Sequence, residues 1–148
     1  MTMKVRDVDT GEIRLVAFPI RAKHGDGFSL VFADNLEIFL AGPGRDLTRV
    51  DLRVLMFLIA TTGYDNVQTT YASAIATALG HDRSAVSRAL AALEKLDVIR
   101  RSPHPRAGAT DISLSPHLVY RGGVKGRTTM LKDKWRPPGT TPESTGPS

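Results

Sequence analysis

The stretch from Thr69 to Leu96 constrains this chain of 148 residues most strongly, because two short helical patterns flank the tripeptide Gly80-His81-Asp82. Gly80 follows the last apolar residue of the first pattern, where a left-handed residue favours the end of a helix. Asp82 precedes the second pattern, where an acidic N-cap suits the positive end of the helix dipole. Two short helices joined by such a turn predict a helix-turn-helix.

Each helix of this motif is predicted to have one apolar face. The first is expected to be capped by Thr70 and to bury Ala72, Ile75, Ala76 and Leu79. The second is expected to bury Val86, Ala89, Leu90, Leu93 and Leu96. The residues opposite that stripe are small, polar or basic: Ser84, Ser87, Arg88, Ala91 and Lys95, with Arg83 opening the helix. Small residues let a helix approach the floor of a DNA major groove, where arginine can pair with guanine or bind phosphate. The alternative is a plain surface helix in an alanine-rich hairpin.

The distribution of charge favours a polyanionic partner for the second half of the chain. Residues 1–80 carry 8 Lys or Arg and 9 Asp or Glu, whereas residues 81–135 carry 11 and 5. A one-sided basic surface is typical of nucleic-acid binding. The chain has no cysteine, which is compatible with a reducing cytoplasm, and no apolar run approaches the roughly 20 residues of a membrane span. No signal peptide is expected at its N-terminus, so we expect a cytoplasmic protein.

The first half is predicted to supply a β-hairpin and the core. Residues 1–10 are expected to be flexible, and residues 12–18 and 28–32 to be partner strands. A short helix is expected over residues 35–41, with Asp34 and Glu37 at capping-box spacing. Thr48 and Asp51 have the same spacing before the most apolar helix, residues 49–61. Its predicted core stripe is Leu52, Leu55, Met56 and Ile59, broadened by Val54, Phe57 and Leu58. Any spare apolar face could meet a dimer partner.

Two strand-like segments after the helix-turn-helix predict a wing. Residues 98–101 and 111–115 are joined by a basic loop, and a short strand is also expected over residues 66–69. The wing carries four basic side chains that could lie beside DNA phosphates or enter a minor groove: Arg100, Arg101, His104 and Arg106. For His104, a solvated position in the loop is favoured. The predicted fold is therefore mainly α (α+β), a winged helix-turn-helix with a small N-terminal β-hairpin extension. One domain is expected over residues 11–135, with the helix-turn-helix at 70–96 and the wing at 98–115.

The C-terminal segment has two interpretations. Residues 121–135 alternate basic and apolar side chains after Gly122-Gly123, which favours a terminal helix packed on the domain or on a second subunit. The Gly-Gly-x-Lys-x-Arg pattern at residues 122–127 could instead bind a phosphate. Residues 136–148 are rich in Pro, Gly, Ser and Thr and are expected to be disordered.

The sequence favours no enzyme, cofactor or metal site. The four histidines are scattered, and no HExxH, GxSxG or Walker pattern is present. The segment G-P-G-R-D at residues 42–46 lacks the residues of a phosphate loop. The three tyrosines lack the neighbouring histidines that a nicking nucleophile would need.

A family resemblance rests on longer stretches. The segment I-A-T-A-L-G-H-D-R-S-A-V-S-R-A-L-A-A-L-E-K-L-D-V-I-R-R is similar to the core of many bacterial winged-helix proteins, including MarR-like repressors. The flanks G-F-S-L-V-F-A-D-N-L-E-I-F-L and L-S-P-H-L-V-Y-R-G-G-V-K-G-R resemble those of RepL-type plasmid replication proteins, over about residues 11–135. That resemblance implies plasmid replication initiation or maintenance through origin binding, with host replication proteins as further partners. It also implies a bacterial protein associated with the nucleoid or with a plasmid.

The predicted function is therefore sequence-specific binding of double-stranded DNA by a homodimer, in plasmid replication. The alternatives are a MarR-like transcriptional repressor and a winged-helix module that binds proteins rather than DNA. The predicted DNA contacts are Thr70, Tyr71, Arg83, Ser84, Ser87, Arg88, Lys95, Arg100, Arg106, Lys125 and Arg127. No catalytic residue, cofactor or membrane association is predicted.

Overall fold

The computed structural model describes residues 5–6, 13–14 and 29–140. Its helices are α1 (Ala33–Ala41), α2 (Arg49–Thr61), α3 (Ala72–Leu79), α4 (Arg83–Lys95) and α5 (Val124–Leu131), with a 3-10 turn at Tyr64–Asn66. Its strands are β1 (Val5–Arg6), β2 (Ile13–Arg14), β3 (Leu30–Val31), β4 (Val67–Thr70), β5 (Ile99–Pro103), β6 (Thr110–Leu114) and β7 (Val119–Tyr120). No helix within the described residues is long and apolar enough to cross a membrane.

The central helix α2 begins at the predicted capping box. The amide of Asp51 donates to the Thr48 hydroxyl at 3.1 Å, and the Thr48 amide donates to the Asp51 carboxylate at 3.0 Å. The predicted core stripe of α2 is partly wrong, because Met56 is 60% exposed. The buried side is formed by Leu55 of that stripe together with Val54 and Leu58, the residues predicted to broaden it, since this side faces α3 and α4.

The helix-turn-helix consists of α3 and α4, as predicted, but its caps differ from the prediction. Gly80 ends α3 with a left-handed φ of 74°, as expected. Thr70 does not cap α3, because it lies in β4, where it pairs with Thr110. Tyr71 occupies the N-cap position and its side chain makes no capping bond. Asp82 is the N-cap residue of α4, yet its carboxylate also makes no capping bond.

One hydrophobic core joins the helices to the wing. The predicted stripe of α4 is buried, with Leu96 partly buried beside it. It packs on Val54 and Leu58 of α2 and on Ile75 of α3, while Ile112 and Leu114 of β6 belong to the same cluster. Helix α4 is therefore fixed in its rotation about its own axis, because one side of it is part of the core.

The wing is part of a three-stranded antiparallel sheet. Its strand order is β4-β6-β5, so β6 is central and pairs Thr70 with Thr110 on one side and Arg101 with Ile112 on the other. Both predicted wing strands are confirmed, with ends that shift by one or two residues. The fold is a mainly α winged helix with a small antiparallel sheet.

The N-terminal strand pairing differs from the prediction. β2 pairs with β1, and β3 pairs with β7 after the wing. The amide of Phe32 donates to Leu118 O at 2.9 Å, and the Asn35 side chain donates to His117 O at 2.8 Å. Long-range bonds therefore hold this segment near residues 117–120. The predicted capping by Asp34 is also wrong, because α1 begins directly after Phe32, whose side chain makes no capping bond. Residues 15–28, which include much of the predicted hairpin, lie outside the described residues.

The chain after β7 forms α5 and then returns to the domain. None of the α5 residues is buried, whereas Trp135 beyond it is only 5% exposed. The predicted disordered segment starts at Arg136, but this residue contacts the domain: its amide donates to the Asp97 carboxylate at 2.6 Å. The remaining tail, residues 141–148, lies outside the described residues, as do all but two residues of the predicted flexible N-terminus.

Candidate nucleic-acid interface

The exposed face of α4 carries the small and basic residues that the helical spacing predicted. The side chains that point away from the core are all exposed: Arg83, Ser84, Ser87, Arg88, Ala91 and Lys95. Within the described residues, neither Arg83 nor Arg88 makes a side-chain hydrogen bond or an ion pair. Two arginines on a fixed, otherwise small-residue face can therefore reach an external ligand without breaking an internal contact.

An ion pair ties the wing to this helix. Arg101 in β5 donates from Nε and Nη2 to Glu94 Oε1 at 3.0 and 2.8 Å, and its amide lies 3.3 Å from Glu94 Oε2. Glu94 lies in the last turn of α4. The contact is partly exposed, so its contribution to stability is modest, but three bonds to one carboxylate fix where β5 leaves the helix.

Polar bonds also hold the loop of the wing. Asp111 accepts from the Thr69 hydroxyl at 2.6 Å and lies 2.9 Å from Nδ1 of His104. The Thr69 hydrogen bond, with a smaller effect of His104, lowers the pKa of Asp111. Gly108 has a left-handed φ of 79° and faces the ring of Tyr71. Arg106 is exposed in this loop.

The other two predicted contacts at the base of the wing are less accessible than the α4 residues. Tyr71 is partly buried at the start of α3, where its ring lies beside the wing loop. Thr70 is partly buried in β4. These two residues therefore join the wing to the helix-turn-helix.

Arg100, one of the predicted DNA contacts, belongs to a cluster of contacts within the chain. Its guanidinium forms two bonds with Asp97, at 2.8 and 3.0 Å, and also donates to the carbonyl groups of Asp133 and Lys134. It lies 4.0 Å from the centre of the Trp135 ring. The hydrogen bond with Asp97 raises the pKa of Arg100. A guanidinium with this many partners has little capacity left for phosphate.

Arg127 is also engaged within the chain. It lies 3.8 Å from the centre of the Phe32 ring, and its Nε donates to Pro116 O at 2.8 Å. Burial lowers the pKa of Arg127. This residue packs α5 against Phe32, the N-cap residue of α1, and against the segment after the wing, in line with the favoured packing interpretation of this region. Lys125, two residues earlier, is exposed.

One basic residue at the turn of the motif could not be identified from sequence patterns. Arg53 of α2 donates from Nη1 to Nε2 of His81 at 3.0 Å, directly before the N-cap of α4. Helical periodicity places Arg53 on the exposed side of α2 but cannot show which turn it meets. The contact joins residues 28 positions apart, and only the tertiary structure brings them together.

Comparison with known proteins bears on the region that contains this face. Residues 45–108 match the model of the MarR family. The match runs from the loop before α2 through the helix-turn-helix to the wing loop. Two solved structures are also similar over 68% of this chain. One is a probable transcriptional regulator from Pseudomonas aeruginosa, with 19% identity, 70% of its own chain covered and a TM-score of 0.40. The other is a possible transcriptional regulator from Methanosarcina mazei Go1, with 17% identity, 77% covered and a TM-score of 0.38. No curated protein matches the chain.

The MarR match corrects the predicted role in plasmid replication. The RepL-type resemblance is wrong as an assignment, because the family model that matches the helix-turn-helix region is that of the MarR family. The replication function and the host replication partners that the resemblance implied are withdrawn with it. Within the part of the chain that the structure describes, no group of three or more potential metal ligands occurs.

Proposed function

We propose that this protein is a MarR-like winged-helix transcriptional regulator that binds double-stranded DNA through the exposed face of α4. The observation that carries the proposal is the two-sided character of this helix. Val86, Ala89 and Leu93 are fully buried on one side, while Arg83 and Arg88 lie exposed on the other without partners among the described residues. The family match over residues 45–108 supports the same conclusion.

In the proposed complex, α4 enters the major groove with its first two turns. The small side chains of Ser84, Ser87 and Ala91 allow close approach to the base edges. Arg88 lies among them and can donate two parallel hydrogen bonds to O6 and N7 of a guanine. Arg83, at the first position of the helix, can bind the flanking phosphate or a second base.

The wing is proposed to supply backbone contacts beside the groove. Arg106 is exposed in the wing loop, which the Thr69–Asp111–His104 bonds hold at the base. Lys95 is exposed one turn beyond Ala91, where it can approach a phosphate at the edge of the groove. These contacts position the protein and add affinity that does not depend on sequence.

The proposal includes a homodimer that binds two half-sites about one helical turn of DNA apart. The exposed apolar side chains available to a second copy include Met56 on α2, which is 60% exposed, and Tyr64, which is 71% exposed. Light scattering with and without duplex DNA measures the stoichiometry directly. Two copies on a duplex with paired half-sites and one copy on a single half-site are expected.

Selection from a random duplex pool tests the DNA-binding proposal. The wild-type protein is expected to enrich a defined sequence and to bind it with a Kd of about 10⁻⁸ M or tighter at physiological salt. Arg88→Ala is expected to weaken that binding. Arg45→Ala is the matched control, because Arg45 is an exposed arginine in the loop before α2. Failure to enrich any sequence, with the folded wild type, would contradict the proposal.

A reporter gene tests the regulatory part of the proposal. The selected sequence is placed over the core promoter of a reporter, where a bound repressor excludes the polymerase. Co-expression of the wild type should lower the reporter signal, Arg45→Ala should lower it equally, and Arg88→Ala should restore it. Specific binding in vitro with no effect of any variant on the promoter would argue against repression.

A further inference from the structure

Asp97 lies at the junction between the recognition helix and the wing. It has a left-handed φ of 60°, which Asp, Asn and Gly tolerate better than other residues. Its side chain is 16% exposed and accepts from Nε and Nη2 of Arg100 at 2.8 and 3.0 Å. It also accepts from the backbone amide of Arg136 at 2.6 Å. One carboxylate therefore joins the wing strand to the chain beyond α5.

The segment 133–136, which we call the C-terminal strap, completes this junction. The carbonyl groups of Asp133 and Lys134 accept from the Arg100 guanidinium at 3.0 and 3.2 Å, and the Trp135 ring lies beneath it. Arg136 Nη1 donates to Lys95 O at the last residue of α4, at 3.1 Å. The strap thus contacts the end of α4 and the first wing strand at once.

The alternation of side chains along β5 gives this arrangement its effect. Arg100 and Arg101 are adjacent in the strand, so their side chains project from opposite faces. Arg101 is bound to Glu94 of α4, while Arg100 is bound to Asp97 and the strap. A strand anchored on one face can still pivot about that contact. Anchors on both faces remove this freedom.

We propose that Asp97 is a positioning residue and that the C-terminal strap is a brace that holds the wing at a fixed angle to the recognition helix. The inference rests on the proposed function, because it concerns how α4 and the wing contact DNA together. A wing held in its binding geometry before DNA arrives loses less conformational entropy on binding, so its contacts contribute more affinity. Asp97 itself makes no DNA contact in this proposal.

The single tryptophan of the chain reports on the brace without DNA. Asp97→Asn keeps a residue that tolerates a left-handed φ but removes the charge that holds Arg100 and Arg136. The emission of Trp135 should shift to the red and acrylamide should quench it more strongly. Asp133→Asn is the charge-matched control, because the hydrogen bond at this residue uses its backbone carbonyl and its carboxylate acts on Arg100 through charge alone. Unchanged fluorescence in Asp97→Asn would overturn the brace.

A double-mutant cycle in DNA binding tests the positioning role. With Asp97 present, Arg106→Ala should weaken binding to the selected duplex severalfold. In the Asp97→Asn background the same change should cost less than about twofold, since the wing is no longer positioned. The effect of Arg88→Ala should be the same in both backgrounds, because the packing of α4 against α2 and α3 does not involve the contacts of Asp97. A purely structural role for Asp97 would lower the Tm but leave the two effects additive.

The outcomes separate this inference from the proposed function. If the wild type binds specifically and the two substitutions, Asp97→Asn and Arg106→Ala, change the binding free energy additively, the positioning role is overturned. The proposed DNA binding then still stands. A wild type that binds no duplex would overturn both the proposed function and the role of the brace in DNA binding. If Asp97→Asn fails to fold by circular dichroism, Arg100→Lys replaces it in both experiments, because lysine cannot form the two-pronged contact with Asp97.

Discussion

The arginines of α4 differ in environment from Arg100 and Arg127, which lie further along the chain. Arg83 and Arg88 are exposed on a helix whose other side is core. Arg100 and Arg127, in contrast, hold carboxylates, carbonyl groups and aromatic rings of their own chain. The second half of the sequence is basic, but much of that charge is used to build the domain. Net charge alone therefore overestimates the surface available to a nucleic acid.

The difference follows from where each residue lies. A helix packed on one side directs the opposite positions into solvent, several ångströms from any carbonyl of the domain. Arginines in strands and connecting segments lie beside backbone carbonyls that have no partner in a regular element, and guanidinium groups satisfy them. Arg121, in the segment after β7, donates to Thr62 O, and Arg100 of β5 donates to the carbonyl groups of Asp133 and Lys134. Arg127 lies on the short helix α5, which has no buried residue, and donates in the same way to Pro116 O. The predictions below test this contrast.

The largest effect is expected from the buried side of α4. Leu90 is 4% exposed, so Leu90→Ala should lower the free energy of unfolding by about 2–5 kcal/mol. Ser87→Ala, on the exposed side of the same helix, should change it by less than about 0.5 kcal/mol. Denaturant titrations of both variants make the measurement. Equal stabilities would mean that the two faces of α4 are wrongly assigned.

Arg88→Ala should weaken DNA binding without changing the stability of the fold. Loss of a two-pronged guanine contact should weaken binding to the selected duplex by about 1–3 kcal/mol and relax the preference at one base pair. The Tm should not change, because Arg88 has no internal partner among the described residues. Equal losses on selected and random duplexes would instead make Arg88 a phosphate contact.

Arg127→Ala should give the reverse result. Loss of its stacking on Phe32 and its bond to Pro116 O should lower the free energy of unfolding by about 1–2 kcal/mol. DNA affinity measured well below the Tm should stay unchanged. Lys125→Ala is the matched control and should leave stability unchanged, since Lys125 is exposed on the same helix. A loss of DNA affinity without loss of stability would return Arg127 to the interface.

Arg106→Ala should produce the smallest effect, visible in the salt dependence of binding. If Arg106 neutralises one phosphate, the slope of log affinity against log salt should flatten by about 0.9. Preference for the selected sequence should remain. Titrations at several salt concentrations provide the measurement, and an unchanged slope would place the wing loop away from the DNA backbone.

Local patterns predicted the helices well and the long-range partners poorly. The capping box at Thr48 and the facing of α4 depend on residues a few positions apart, and both are confirmed. The partner of the strand near Leu30 lies about ninety residues away, and no periodicity identifies it. The bonds of Arg100 with the strap are non-local in the same way.

The misleading family resemblance has a physical explanation in the same region. The Arg-Gly-Gly segment after the wing resembled a replication protein, but packing accounts for its residues. Gly122 has a φ of 147°, and a Cβ atom there would lie 2.7 Å from the Tyr120 ring. Arg121 and Arg127 bind carbonyl groups of the domain. The pattern thus reflects the way in which this segment packs on the domain.

Hydrogen exchange of the protein with and without its selected duplex tests the central claim most directly, because it compares α4 with the later basic segment in one experiment. The account predicts that DNA slows exchange in the first two turns of α4 and in the wing loop, and leaves α5 and the C-terminal strap unchanged. Slower exchange confined to residues 121–136, with α4 unaffected, would contradict it.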